Sequence, residues 1–91
     1  MESDAGKADI NLEKHGVSFE AACRVFADVF ALERCDIESE PGEVRYVITG
    51  VVNDVILTVV YTERGERIRI ISGRRATKYE QTEYDRGQTA G

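Results

Sequence analysis

The chain has 91 residues, of which 42% are hydrophobic and 32% charged, with a single proline and a formal net charge of -5. That length closes one core and not two, and the apolar content offsets enough ordering entropy to set aside intrinsic disorder for its middle. No apolar run approaches the roughly 20 residues that span a bilayer, and the acidic N-terminus lacks a signal-peptide centre, so a cytoplasmic protein without membrane association is expected.

Asp4 is placed to cap a first helix running to about His15, with Ala5, Ala8 and Leu12 on one side and Gly16 at a left-handed C-cap. Ser18 caps a second, and the helical spacing of Phe19, Ala22, Cys23, Phe26 and Phe30 marks the main core-facing stripe. Cys23 on that stripe and Cys35 in a strand read as two reduced thiols. With one histidine and no paired cysteine spacing, no metal site or other cofactor is expected.

From Ala31 the apolar period changes from helical to two. A strand is expected over 32–36, then a Pro41-Gly42 turn, then strands over 44–52, 55–62 and 66–72, joined by tight connections at Asn53-Asp54 and Arg64-Gly65. Thr77 caps a closing helix containing Glu80, Glu83 and Tyr84, and the chain from Asp85 to Gly91 reads as a frayed tail.

Two-residue loops pair Tyr46 with Tyr61 and Ile48 with Val59, and in the second hairpin Thr62 with Arg67 and Val60 with Arg69. One face then gathers Tyr46, Ile48, Val55, Leu57, Val59, Tyr61, Ile68 and Ile70 as the core. The other gathers Arg45, Thr49, Thr58, Thr62, Arg67 and Arg69, with Val47, Val60 and Ile71. Two readings fit that second face: an oxyanion cradle of arginines over threonine hydroxyls, or a solvated surface whose arginines pair with nearby carboxylates.

Between Arg64 and Lys78 stand six basic residues (Arg64, Arg67, Arg69, Arg74, Arg75, Lys78) and one acidic residue, Glu66. In an acidic chain this is a local departure that points to a phosphate-bearing ligand. The acidic residues Asp28, Glu33, Asp36, Glu38, Glu40 and Glu43 form either a solvated hairpin or a surface for a basic partner.

Several segments together resemble the BrnT family of bacterial toxins. They are Lys14-His15-Gly16-Val17-Ser18-Phe19 after a helix carrying Lys7 and Asn11, then Glu43-x-Arg45, then Val59-Val60-Tyr61-Thr62, and finally Arg69-Ile70-Ile71-Ser72-Gly73-Arg74-Arg75-Ala76 followed by Glu80 and Tyr84. The resemblance covers almost the whole chain. It implies an α+β fold, a RelE-like antiparallel sheet of three to four strands packed on one face by two N-terminal helices, with a short C-terminal helix. It further implies a metal-independent ribonuclease that inhibits translation, neutralised by a BrnA-like ribbon-helix-helix antitoxin. Homodimerisation is a further possibility left open.

On that resemblance, His15, Arg45, Arg69 and Arg74 are the candidate catalytic residues, and Arg67, Arg75, Lys78 and Tyr84 the candidates for RNA contact. Arginines suit a developing phosphorane charge because a planar fork binds two oxygens and stays charged, and His15 is the one side chain whose ordinary pKa lies near neutrality. In the last turn of a helix, His15 has a purely structural alternative, complementing the dipole. Tyr84 either stacks on a base or packs its helix onto the sheet. Gly73, where the family usually carries alanine, should loosen the backbone beside Arg74. The rival to an enzyme is an inactive toxin-fold module that serves as antitoxin partner and co-repressor.

Overall fold

The computed structural model describes residues 5–35 and 44–89. Three helices and four strands follow in the order α1 (Ala5–His15), α2 (Phe19–Val25), β1 (Leu32–Cys35), β2 (Arg45–Val52), β3 (Val55–Arg64), β4 (Arg67–Arg75) and α3 (Lys78–Thr89). The strands make one antiparallel sheet in sequential order. Helices α1 and α2 pack on one face and α3 lies against the other, an α+β arrangement in three layers.

Local chemistry sets the helix ends. Gly16 takes φ +69° and its N–H bonds Leu12 O, closing α1 with the expected left-handed cap. Ser18 accepts from the Ala21 N–H and caps α2. At α3 the exchange is reciprocal: Glu80 N–H donates to Thr77 Oγ1 at 3.1 Å, and Thr77 N–H to Glu80 Oε1 at 2.8 Å. Helix α3 continues through Thr89, past Asp85 where a frayed tail was expected. The expected Asp4 cap and Pro41-Gly42 turn lie outside the described residues.

The core gathers Val17, Phe19, Ala22 and Val25 against Ile48, Leu57, Val59, Tyr61 and Ile70. Tyr61 stacks on Tyr46 at 5.4 Å and meets the Phe26 ring edge-on at 5.0 Å. Two positions depart from the expected stripes. Helix α2 ends at Val25, so Phe30 falls in the following loop and is exposed, and on α1 the buried residue is Asn11 while Leu12 faces outward.

Asn11 is buried for a reason. Its amide donates to Gly73 O at 2.7 Å and Val17 O at 2.8 Å, and its Oδ1 accepts from Gly73 N–H at 3.1 Å. The side chain thus acts as the peptide group of a further strand, pairing the outer edge of β4. Gly73 is correspondingly tethered through both backbone groups rather than loosened. A Cβ there would stand 3.1 Å from Ala22 Cβ, so its lack of a side chain lets α2 approach the sheet.

The β2–β3 hairpin has the expected register, with Asn53 and Asp54 both at positive φ in a two-residue turn. The second hairpin differs. Its turn is Gly65-Glu66, with Gly65 at φ +62°, so Thr62 pairs with Arg69 where Arg67 was expected. That displacement is by two residues and keeps each side chain on its face. A bulge then shifts the register between Val60 and Tyr61: Tyr61 pairs with Ile70, Val60 with Ser72, and Ile71 is the extra residue.

Replacing Asn11 with alanine strands three buried backbone groups and should lower stability by about 2–4 kcal/mol. Urea unfolding followed by circular dichroism measures this, and a decrease within about 0.5 kcal/mol would contradict the edge-pairing role.

Candidate functional site

The sheet face under α3 is not the solvated surface that alternation allowed. Thr49, Thr58 and Thr62 are buried, with Val47, Ala76, Glu80 and Tyr84 around them. The threonine hydroxyls are committed: Thr49 Oγ1 and Thr58 Oγ1 lie 3.0 Å apart, Thr58 also reaches Glu80, and Thr62 donates to Val44 O at 2.8 Å. These bonds tie β2, β3 and α3 together, an arrangement that neither of the two readings of this face described.

Glu80 anchors α3. Its oxygens receive Arg74 at 2.7 and 3.0 Å in a two-pronged pair, and Arg34 approaches at 3.6 Å. Burial pushes the Glu80 carboxyl up, but the Arg74 guanidinium and the Thr77 N–H outweigh it and hold the group at about 2. The same pair raises the Arg74 pKa against the opposing effect of its burial. Arg74, one of the arginines expected to converge on an anion, is therefore already spent on a carboxylate.

The second anchor is Asp28, one of the acidic residues read as part of a solvated hairpin. It lies between α2 and β1 and accepts from the Tyr84 hydroxyl, from Val51 N–H and from Phe30 N–H. Burial pushes its carboxyl up, yet those three donors together bring it below the ordinary range. Burial and the Asp28 charge in turn raise the Tyr84 hydroxyl to about 12. Tyr84 is 6% exposed, so of its two readings the packing one describes its place and no ring face is presented for stacking.

Arg45 and Arg69 are brought together. They occupy one rung across three strands, Arg45–Thr62–Arg69, and their side chains emerge on the same face. Their backbones stand two strand spacings apart, about 10 Å. Arg67 shares that face two residues nearer the hairpin, opposite Arg64. Arg69 is half-buried and makes no ion pair among the described residues.

His15 stands apart from that rung, at the outer edge of β4. It lines a shallow cavity of about 190 Å³ with Lys7, Ile10, Asn11, Lys14, Ile71 and Ser72. Arg75 faces the opposite way, into a hollow lined by Leu12, Val17 and Leu57, and Lys78 is exposed at the start of α3. Neither joins the Arg45–Arg69 rung. Sequence reasoning missed Asn11, Asp28 and Glu80 as organising residues. Of these Glu80 alone carried a local signal, its spacing of three from the Thr77 cap.

Four basic side chains, Arg45, Arg67, Arg69 and Arg74, thus share one face of the sheet, the last of them paired with Glu80. The model of the ribonuclease toxin BrnT of type II toxin–antitoxin systems matches residues 4–80, and the chain belongs to that family. No curated protein matches it. No helix of the described residues is long and apolar enough to cross a membrane.

Glu80 sits far below its ordinary value of 4.5 in the folded protein, so its contribution to stability is complete above about 4.5 and is lost as pH falls toward about 2. Urea midpoints should drop between about pH 5 and pH 3, and drop less in Glu80→Gln, whose pair with Arg74 has no carboxylate to protonate. Parallel pH profiles for the two proteins would overturn this.

Proposed function

We propose that this chain is an endoribonuclease that cleaves RNA without a metal ion, inhibits translation, and is neutralised by a ribbon-helix-helix antitoxin of the BrnA type. The observation that carries the reading is Arg69. Within a family of ribonuclease toxins it is an arginine uncommitted to any carboxylate among the described residues, on a rung where Arg45 points the same way.

Metal-free cleavage requires removal of the 2′-hydroxyl proton, neutralisation of the charge gathering on the pentacoordinate phosphorus, and protonation of the departing 5′-oxygen. Arg69, with Arg45 behind it, supplies the cationic fork for the phosphate oxygens. His15 is assigned the proton transfer from beyond the β4 edge, where Ser72 connects the two: its side chain shares the arginine face and it lines the cavity that holds His15. The substrate then lies across the edge of β4 and not over the middle of the sheet. Arg74 acts at one remove, fixing α3 and the end of β4 through Glu80, while Arg67, Arg75 and Lys78 are left to hold the RNA backbone.

The alternative is an inactive module that keeps antitoxin binding alone. The chain's net charge of -5 and the engagement of Arg74 by Glu80 favour it. Cleavage of a fluorogenic oligoribonucleotide in the presence of a chelator decides. The enzyme reading expects turnover that vanishes when the substrate carries 2′-deoxyribose. Arg69→Ala should cost about 10²–10³-fold in kcat/KM, with little rescue by Arg69→Lys. No turnover by a folded protein that still binds its antitoxin would establish the module instead.

A further inference from the structure

We infer that the groove between α3 and β1 receives a basic side chain of the antitoxin, its charge held by Glu83, its head packed on the ring of Tyr79 and its stem on Leu32 and Val47. The inference rests on the antitoxin reading above and adds the chemistry of the partner and the place where it enters.

Helix α3 turns two neighbouring lines of side chains to different surroundings. Glu80 and Tyr84 are buried against the sheet, while Tyr79 and Glu83, also four residues apart and so side by side on the helix, stand on its β1 side. Strand β1 supplies the opposite wall. Leu32 pairs with Thr49 and Arg34 with Val47, which puts the Leu32 and Arg34 side chains on the face under α3. The cavity between them has a volume of about 220 Å³ and is lined by Leu32, Arg34, Val47, Thr49, Tyr79 and Glu83. Its floor is apolar at Leu32 and Val47, and Tyr79, 69% exposed, offers a ring that takes no part in the core.

The charges select the occupant. Glu80 is answered by Arg74 in a two-pronged pair and by Arg34 at 3.6 Å. Glu83 meets Arg86 at 3.7 Å with both side chains exposed, a pairing that a better-placed cation displaces at little cost. The chain that follows β1 adds Asp36, Glu38, Glu40 and Glu43, and residues 36–43 contain no lysine or arginine. A cation entering the groove therefore gains the Glu83 carboxylate and the negative face of the Tyr79 ring together, while its methylene stem covers Leu32 and Val47. Arginine fits both demands, since its planar head stacks on a ring while its edge donates to a carboxylate. The net charge of -5, which opposes nucleic acid, favours the approach of such a segment.

The test is calorimetric titration of the whole chain with a ribbon-helix-helix antitoxin of the BrnA type, at low and at high salt. Glu83→Gln and Tyr79→Ala should each weaken binding about tenfold at low salt. Tyr79→Phe should keep the affinity, because the ring face and not the hydroxyl meets the cation, and the loss in Glu83→Gln should shrink as salt rises. Both side chains lie outside the core, so the variants test binding without removing packing. Unchanged affinity in Glu83→Gln and Tyr79→Ala overturns the groove and leaves the antitoxin reading standing, and a loss confined to Tyr79→Ala overturns the cationic occupant. A wild type that does not bind the antitoxin removes both the groove and the reading. Titration with a 2′-O-methylated oligoribonucleotide, which cannot be cleaved, covers the remaining occupant: weaker binding there in Tyr79→Ala, with antitoxin affinity intact, would give the groove to a nucleobase and overturn the inference.

Discussion

The single extra residue at Ile71 decides what the end of β4 can do. Side chains alternate along a strand, so without a bulge Arg74 would share a face with Ile68 and Ile70 and enter the core among Val59 and Tyr61, while Gly73 would point outward. A guanidinium in that core would cost several kcal/mol even when paired. With the bulge, Ser72 and Arg74 join the face of Arg69, and Gly73 turns inward to admit Ala22. Strand register, helix packing and the placement of cations all follow from one unpaired residue.

A bulge weakens the strand that contains it, because the ladder is interrupted where the chain bends. Here the compensation is local and lies on both sides of the sheet. Asn11 holds both backbone groups of Gly73 from α1, and Glu80 holds the Arg74 side chain from α3. The chain just after the bulge is thus gripped from opposite layers. Asp28 completes the frame by tying Tyr84 to Val51 and Phe30 across more than half the sequence. Polar groups buried in this way fix one arrangement of helices on the sheet, which a uniform apolar interface would leave free to slide.

How much of this could be read beforehand depends on whether the signal was local. Asn53-Asp54 is a turn dipeptide between two alternating runs, so its register was legible to the residue. Arg64-Gly65-Glu66-Arg67 accommodates either of two placements of the two-residue turn, and the expected one lay one residue early, which displaces the pairing by two and so preserves faces. The bulge carries no compositional mark at all. It arises because Ile70 and Gly73, three residues apart, both face the core, which plain alternation forbids, a conflict visible only once α2 and α3 are in place. The bond from Asp28 to Tyr84 is equally silent, since 56 residues separate the partners. Family membership was legible because it sums many positions. The division of labour among the arginines was not, since it depends on which of them meets a carboxylate in three dimensions.

That division gives the acidic chain its local chemistry. An arginine bound two-pronged to a carboxylate shows little net field to a passing phosphate, so Arg74 contributes rigidity more than charge. Arg69 makes no ion pair among the described residues and keeps its field, which at physiological salt reaches about 8 Å. On the proposed ribonuclease reading, a strand touching the β4 edge would be held over that range, while at longer range the net charge of -5 would repel nucleic acid. Capture of a phosphate backbone by such a surface is accordingly governed by close approach and not by steering, and added salt should weaken the bound state chiefly by speeding its dissociation.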